Sequence, residues 1–153
     1  MIHIIISVMS VAVVAGLLVA GFYYLHPTAG LREKVAVKTI ADMTTLESGY
    51  HAYKIQVKQP PSTIAWETQL TPGIIAMPDP PVDTMNWSYD IVAAGNWFCL
   101  KGSVHEPVYK GLVSASGRLN ATRAFVSGDC GAVANGAEPV SWPSVVALTY
   151  WVD

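Results

Sequence analysis

The chain has 153 residues, a net charge of −2, 52% hydrophobic residues and only 13% charged ones, which leaves room for one folded domain of roughly 100 to 130 residues outside any membrane segment. A second domain is excluded, and the charged share is about half that of ordinary soluble domains. No Lys/Arg cluster is present to neutralise phosphates, which excludes nucleic acid as a partner.

Ile2 to Leu25 contain no Asp, Glu, Lys or Arg. At about 1.5 Å per helical residue, such a segment is long enough to cross a hydrocarbon core of about 30 Å. Three readings compete for it. A cleaved secretory signal would carry a basic n-region and a shorter apolar core, whereas the n-region here would be only Met1, Ile2 and His3. A buried core helix would show a polar side, whereas Ile4, Ile5, Ile6, Val8, Val11, Val13, Val14, Leu17, Leu18 and Val19 surround the axis. A transmembrane anchor over residues 1–26 is therefore the expectation, with Phe22, Tyr23 and Tyr24 as interface aromatics. Ala12, Gly16 and Ala20 recur every fourth residue, a helix-packing face of small residues, although Ala and Gly are also simply common in membrane helices.

Orientation draws two opposed signals. Arg32, Lys34 and Lys38 follow the anchor closely, which by the positive-inside rule places that flank in the cytoplasm. The chain's two cysteines, Cys99 and Cys130, both lie downstream, and such a pair suits one disulfide in an oxidising compartment such as a periplasm. A bridge of that span stabilises a small domain by roughly 3 to 4 kcal/mol. The expected location is the inner membrane, single-pass, with a periplasmic domain over residues 27–153.

Within that domain the spacing predicts an amphipathic helix over 27–59. Thr28 is a candidate cap. Leu31, Val35, Met43, Leu46, Tyr50, Tyr53 and Val57 fall mostly three and four apart, with charged residues at other positions. Gly49 weakens the helix by about 1 kcal/mol relative to Ala, which leaves a kink or break there open. Gln59-Pro60-Pro61-Ser62 ends it. Residues 60–86 form a proline-rich connection of turns and extended segments.

Residues 87–153 read as a β-sheet. The predicted strands are Trp87 to Ala93, Asn96 to Lys101, Val108 to Ser114, Thr122 to Ser127 and Val145 to Val152, with Ala94-Gly95-Asn96 as a hairpin connection. The expected fold class is α+β, the amphipathic helix packed on an antiparallel β-sheet. Leu148 to Val152 is expected to pair within its own sheet, with an open edge strand as the alternative. Alternating aromatics at Trp87, Tyr89, Trp97 and Phe98 read as core on one face and a packed partner on the other, with a ligand platform as the alternative.

Catalytic and metal motifs are missing. There is no nucleophile elbow, phosphate loop or paired zinc motif, and His3, His26, His51 and His105 lack metal-ligand spacing. His105-Glu106 is expected in a solvated loop before Pro107. Cys99 and Cys130 are too far apart in sequence for a C-x-x-C redox site. The chain is thus expected to be no enzyme, with no catalytic residue, no metal, no cofactor and no small-molecule substrate.

An apolar N-terminal helix running into an amphipathic one, followed by a sheet with Trp97-Phe98-Cys99-Leu100-Lys101-Gly102 and later Gly128-Asp129-Cys130, resembles the type IV pilin-like class. In that class those two segments would be the strand and loop that a disulfide joins. Position 5 holds Ile5 where major pilins carry Glu, and the Gly21-Phe22 dipeptide has no apolar helix after it. In size and in its retained anchor the chain looks most like the PilM-type proteins of plasmid-encoded thin (type IVB) pili. That resemblance implies a structural or assembly component at the pilus base or pilin transport apparatus, serving conjugation, with the membrane and other pilus-assembly proteins or pilins as partners. The alternatives are a minor pilin incorporated into the filament and a membrane-anchored thiol oxidoreductase or other enzyme.

Overall fold

A computed structural model of the chain describes residues 27–152. Ala12, Gly16, Ala20, Phe22, Tyr23 and Tyr24 lie outside them. Among the described residues, no helix is long and apolar enough to cross a membrane.

The first element is helix α1, Pro27–Val57. Val35, Thr39, Met43, Leu46 and Tyr50 are fully or almost fully buried along one face, the three-and-four spacing of a helix that covers a core. Leu31 and Val57, at its two ends, are exposed and do not join that face. Thr28 lies inside the helix and does not cap it. The helix runs unbroken through Gly49, where a β-carbon would stand 2.9 Å from the Ile75 side chain. Glycine there admits Ile75 to the helix surface. Lys58, at φ 63°, turns the chain out.

The proline-rich connection holds one short helix, α2, Trp66–Leu70, in the interval between Pro61 and Pro72. Its buried residues, Trp66 and Leu70, pin the connection to the core.

Four strands follow: β1, Met85–Val92; β2, Gly95–Val104; β3, Ala124–Ser127; and β4, Ser144–Trp151. The sheet order is β1-β2-β4-β3, with every pair antiparallel. Val92 pairs with Gly95, so Ala93 and Ala94 make the hairpin turn, and Gly95 sits at φ 140°, a conformation that favours glycine. The last strand is interior. Leu148 to Trp151 is therefore not an open edge.

Strand alternation sorts the side chains cleanly. Met85 and Tyr89 of β1, Phe98, Leu100 and Val104 of β2, Ala124 and Val126 of β3, and Val146, Leu148 and Tyr150 of β4 share one core with α1. Trp97, Cys99, Ala147 and Trp151 form a separate cluster on the reverse face.

Val108 to Ser114 is not a strand. It belongs to helix α3, Glu106–Leu119, which packs beside α1. Its valines and tyrosine suit strands by composition, but Val108, Leu112 and Ala115 are buried at helical spacing, and Pro107 and Glu106 occupy a first turn where proline and an acid are favourable. Glu106 accordingly opens the helix rather than lying in a loop, with His105 as the residue that precedes it, and both are solvent-exposed as expected. The two helices approach closely at Gly111, where a β-carbon would stand 2.9 Å from the Arg32 carbonyl oxygen and from Val35.

Two glycines give a contrast that tests this packing. Gly102, opposite Met85, has the Thr84 carbonyl oxygen 2.1 Å from where a β-carbon would stand, whereas Gly117 in α3 has nothing within 4 Å. Gly102→Ala should destabilise the domain by about 1 to 3 kcal/mol through forced backbone movement. Gly117→Ala should stabilise it by about 0.5 to 1 kcal/mol through helix propensity. Chemical unfolding midpoints of the two purified variants would check both signs.

Candidate functional site

Two constructions on the sheet bring chemistry-bearing residues together. The first is the reverse face. Cys99, fully buried on β2, is bonded to Cys130 in the segment after β3, with Cα atoms 5.7 Å apart and a sequence separation of 31. Gly131, at φ +81°, lies against the Trp97 ring, and a β-carbon there would be 3.5 Å from the indole nitrogen.

Hydrogen bonds sew the rest of this segment down. Gly131 N donates to Thr149 Oγ1 at 3.0 Å, Trp151 Nε1 to the Ala132 carbonyl at 2.9 Å, and Gly136 N to the Val126 carbonyl at 2.8 Å. Val126 N donates to Asn135 Oδ1 at 2.8 Å, which caps the outer side of β3. Lys101 Nζ donates to Asp129 at 2.6 Å. With so many side-chain anchors and so little apolar area, the cover depends on its covalent link.

The second construction is the seam between α1 and the end of the sheet. Glu47 projects from α1 and accepts from Arg123 Nη2 at 2.9 Å with one oxygen and from Tyr150 Oη at 2.8 Å with the other. Arg123 Nε also donates to the Trp151 carbonyl at 2.7 Å, and its guanidinium lies 5.2 Å from the centre of the Tyr150 ring. His51 Nε2 lies 3.8 Å from Glu47 on the exposed side. One turn along α1, Asn96 Nδ2 donates to the buried Tyr50 hydroxyl at 2.7 Å. Burial, reinforced by the hydrogen bond to Glu47, pushes the Tyr150 hydroxyl up to about 12.

This seam joins an acid, a phenol and an imidazole. Both Glu47 oxygens are engaged, one by Arg123 and the other by Tyr150. Its contacts fasten the helix to the sheet. Among the described residues, no group of three or more His, Cys, Asp or Glu side chains is placed to hold a metal ion. A shallow depression of about 270 Å³ adjoins the seam, lined by Ala94, Thr122, Arg123, Phe125, Val133 and Trp151. Apart from Arg123 and Thr122 its walls are apolar, and it opens broadly to solvent.

The structure brings Cys99 and Cys130 together. The aromatics Tyr89 and Phe98 are core, Trp97 packs the reverse face, and Trp87 Nε1 donates to the Pro78 carbonyl at 2.9 Å, so the four are packing residues rather than a platform. Sequence reasoning missed the Glu47–Arg123–Tyr150 network. Its members are 76 and 103 residues apart, and nothing in local spacing joins them.

Comparison of the chain with protein-family models, with curated proteins and with solved structures gives no match.

Two measurements bear on these constructions. Breaking the bridge with Cys99→Ser and Cys130→Ser should cost about 3 to 4 kcal/mol on the chain-entropy account, read as the shift in unfolding free energy. Because the Tyr150 hydroxyl is raised in the folded state, its stabilising contribution is complete below about pH 10 and is lost as pH rises toward about 12. Tyr150→Phe should lower stability near neutral pH and flatten that alkaline decline, measured by unfolding at a series of pH values.

Proposed function

We propose that this protein is a membrane-anchored structural or assembly component of a type IV-like pilus machinery, at the pilus base or the pilin transport apparatus. One juxtaposition carries the reading. The uncharged run Ile2 to Leu25 is followed at once by a helix, Pro27–Val57, that lays one face over an antiparallel sheet whose other face is closed by a disulfide-linked segment. An apolar anchor, an extended helix and a stapled sheet in that order suit a part held at the membrane beside other subunits, with residues 27–153 on the periplasmic side of the inner membrane.

The bridge supports the oxidising side. Cys99 is fully buried and Cys130 half-buried, and each is tied into a scaffold of hydrogen bonds rather than displayed in an open cleft. That placement favours a structural bridge over a thiol oxidoreductase. Lys38, one of the three cations that argue for the opposite orientation, is engaged by Asp42 at 3.0 Å.

The protein should remain with the inner membrane after alkaline carbonate washing. A C-terminal reporter fusion should be active only as a periplasmic reporter. Recovery of the protein in sheared filaments instead would identify a minor pilin, and a cytoplasmic reporter signal would overturn the orientation.

A further inference from the structure

The structure sorts the cations of the first turns of α1 and of the adjoining α3 into paired and unpaired. Arg118 makes a two-point ion pair with Glu33, both contacts at 2.7 Å. Lys110 is held by Glu106, with Glu138 adding to the negative field around it. Lys38 is held by Asp42. Arg32 and Lys34 are different: both are exposed, and neither has an ion-pair partner among the described residues. At about 1.5 Å per residue they stand about 8 and 11 Å along the helix from Pro27. They are also the first charged residues, with Glu33 between them, after the uncharged run Ile2 to Leu25.

We propose that this end of the domain rests on an anionic lipid surface, with Arg32 and Lys34 held against headgroup phosphates. In a helix the Cα–Cβ bonds tilt toward the N-terminus, so both long side chains leave α1 leaning toward the end from which the apolar run departs. Their methylene stems can lie along the apolar boundary while the charged heads reach phosphate. The two carboxylates nearest them in the helices, Glu33 and Glu106, are engaged by Arg118 and Lys110. A lipid phosphate is the counter-ion that the described residues leave unsupplied. The inference rests on reading residues 2 to 25 as a membrane anchor.

Lys58 provides an internal control. It is exposed and without an ion-pair partner among the described residues, at the far end of α1, roughly 36 Å along the helix from Lys34. The test uses the full chain in vesicles of phosphatidylglycerol or of phosphatidylcholine, with an amine-acylating reagent and mass spectrometry to compare Lys34 and Lys58. In phosphatidylglycerol, Lys34 should react about fivefold more slowly than in phosphatidylcholine, the ratio that one cation's attraction to an anionic surface sustains. Lys58 should not change. High salt should remove the protection, and Arg32→Glu should weaken it.

Inorganic phosphate added to phosphatidylcholine vesicles should protect nothing. Protection by free phosphate alone would point to a soluble anion and overturn the lipid assignment. Equal reactivity of Lys34 in both lipids, with the chain retained after carbonate washing, would sink the inference and leave the anchor standing. Release of the chain by carbonate would remove both.

Discussion

The structure depends on how Tyr50 is seated. Its ring is fully buried where α1 crosses the sheet, edge-on to Phe98 at 6.4 Å between centres and tilted against Tyr89 at 6.3 Å. Trp66 of α2 closes the same group at 5.5 Å from Phe98. A hydroxyl in such a place costs about 1 to 3 kcal/mol if left unpaired. Asn96, at the start of β2, supplies the partner. Rotation or sliding of α1 by one residue would lose the aromatic contacts and strand two buried polar groups together. Apolar area thus holds the helix down, and one buried hydrogen bond fixes its register. Glu47, one turn earlier, repeats the device at the partly exposed margin with Arg123 and Tyr150.

The two faces of the sheet are finished by different means. Helices cover one face, burying Met43, Leu46, Leu112, Leu100 and Leu148, and the hydrophobic effect suffices there. The other face has a small apolar cluster of Trp97, Cys99, Ala147 and Trp151 beneath an irregular segment. Irregular segments gain little from burial and surrender much backbone freedom when ordered. The disulfide and the sequence of hydrogen bonds from Gly131 to Gly136 compensate for that deficit. The bridge therefore sits where ordinary packing is weakest.

Much of this was legible in the residues. The buried face of α1 follows directly from Val35, Met43, Leu46 and Tyr50, and β1, β2 and β4 from dense runs of aromatic and β-branched residues. The 108–114 segment misled because Val108, Tyr109 and Val113 carry strand propensity, a bias too weak to outweigh a core that takes Val108, Leu112 and Ala115 on one side. Pro107 preceded by an acid was the available signal of a helix start. Gly49 weakens a helix locally, yet its missing side chain is what lets Ile75 pack. The position of β4 between β2 and β3 and the Glu47 network had no local signature, since both join residues distant in sequence.

The way α1 is fastened sets how the domain would bear load. A pull on its Pro27 end directed along the helix axis would not lift contacts away one after another. The face from Val35 to Tyr50 would have to slide over the sheet as a unit, against the Glu33–Arg118 pair near one end and the Glu47–Arg123–Tyr150 seam farther along. Contacts loaded in shear yield together, whereas a force that peeled α1 outward would meet them singly. Tension along α1 would thus meet the whole buried face together with both polar seams.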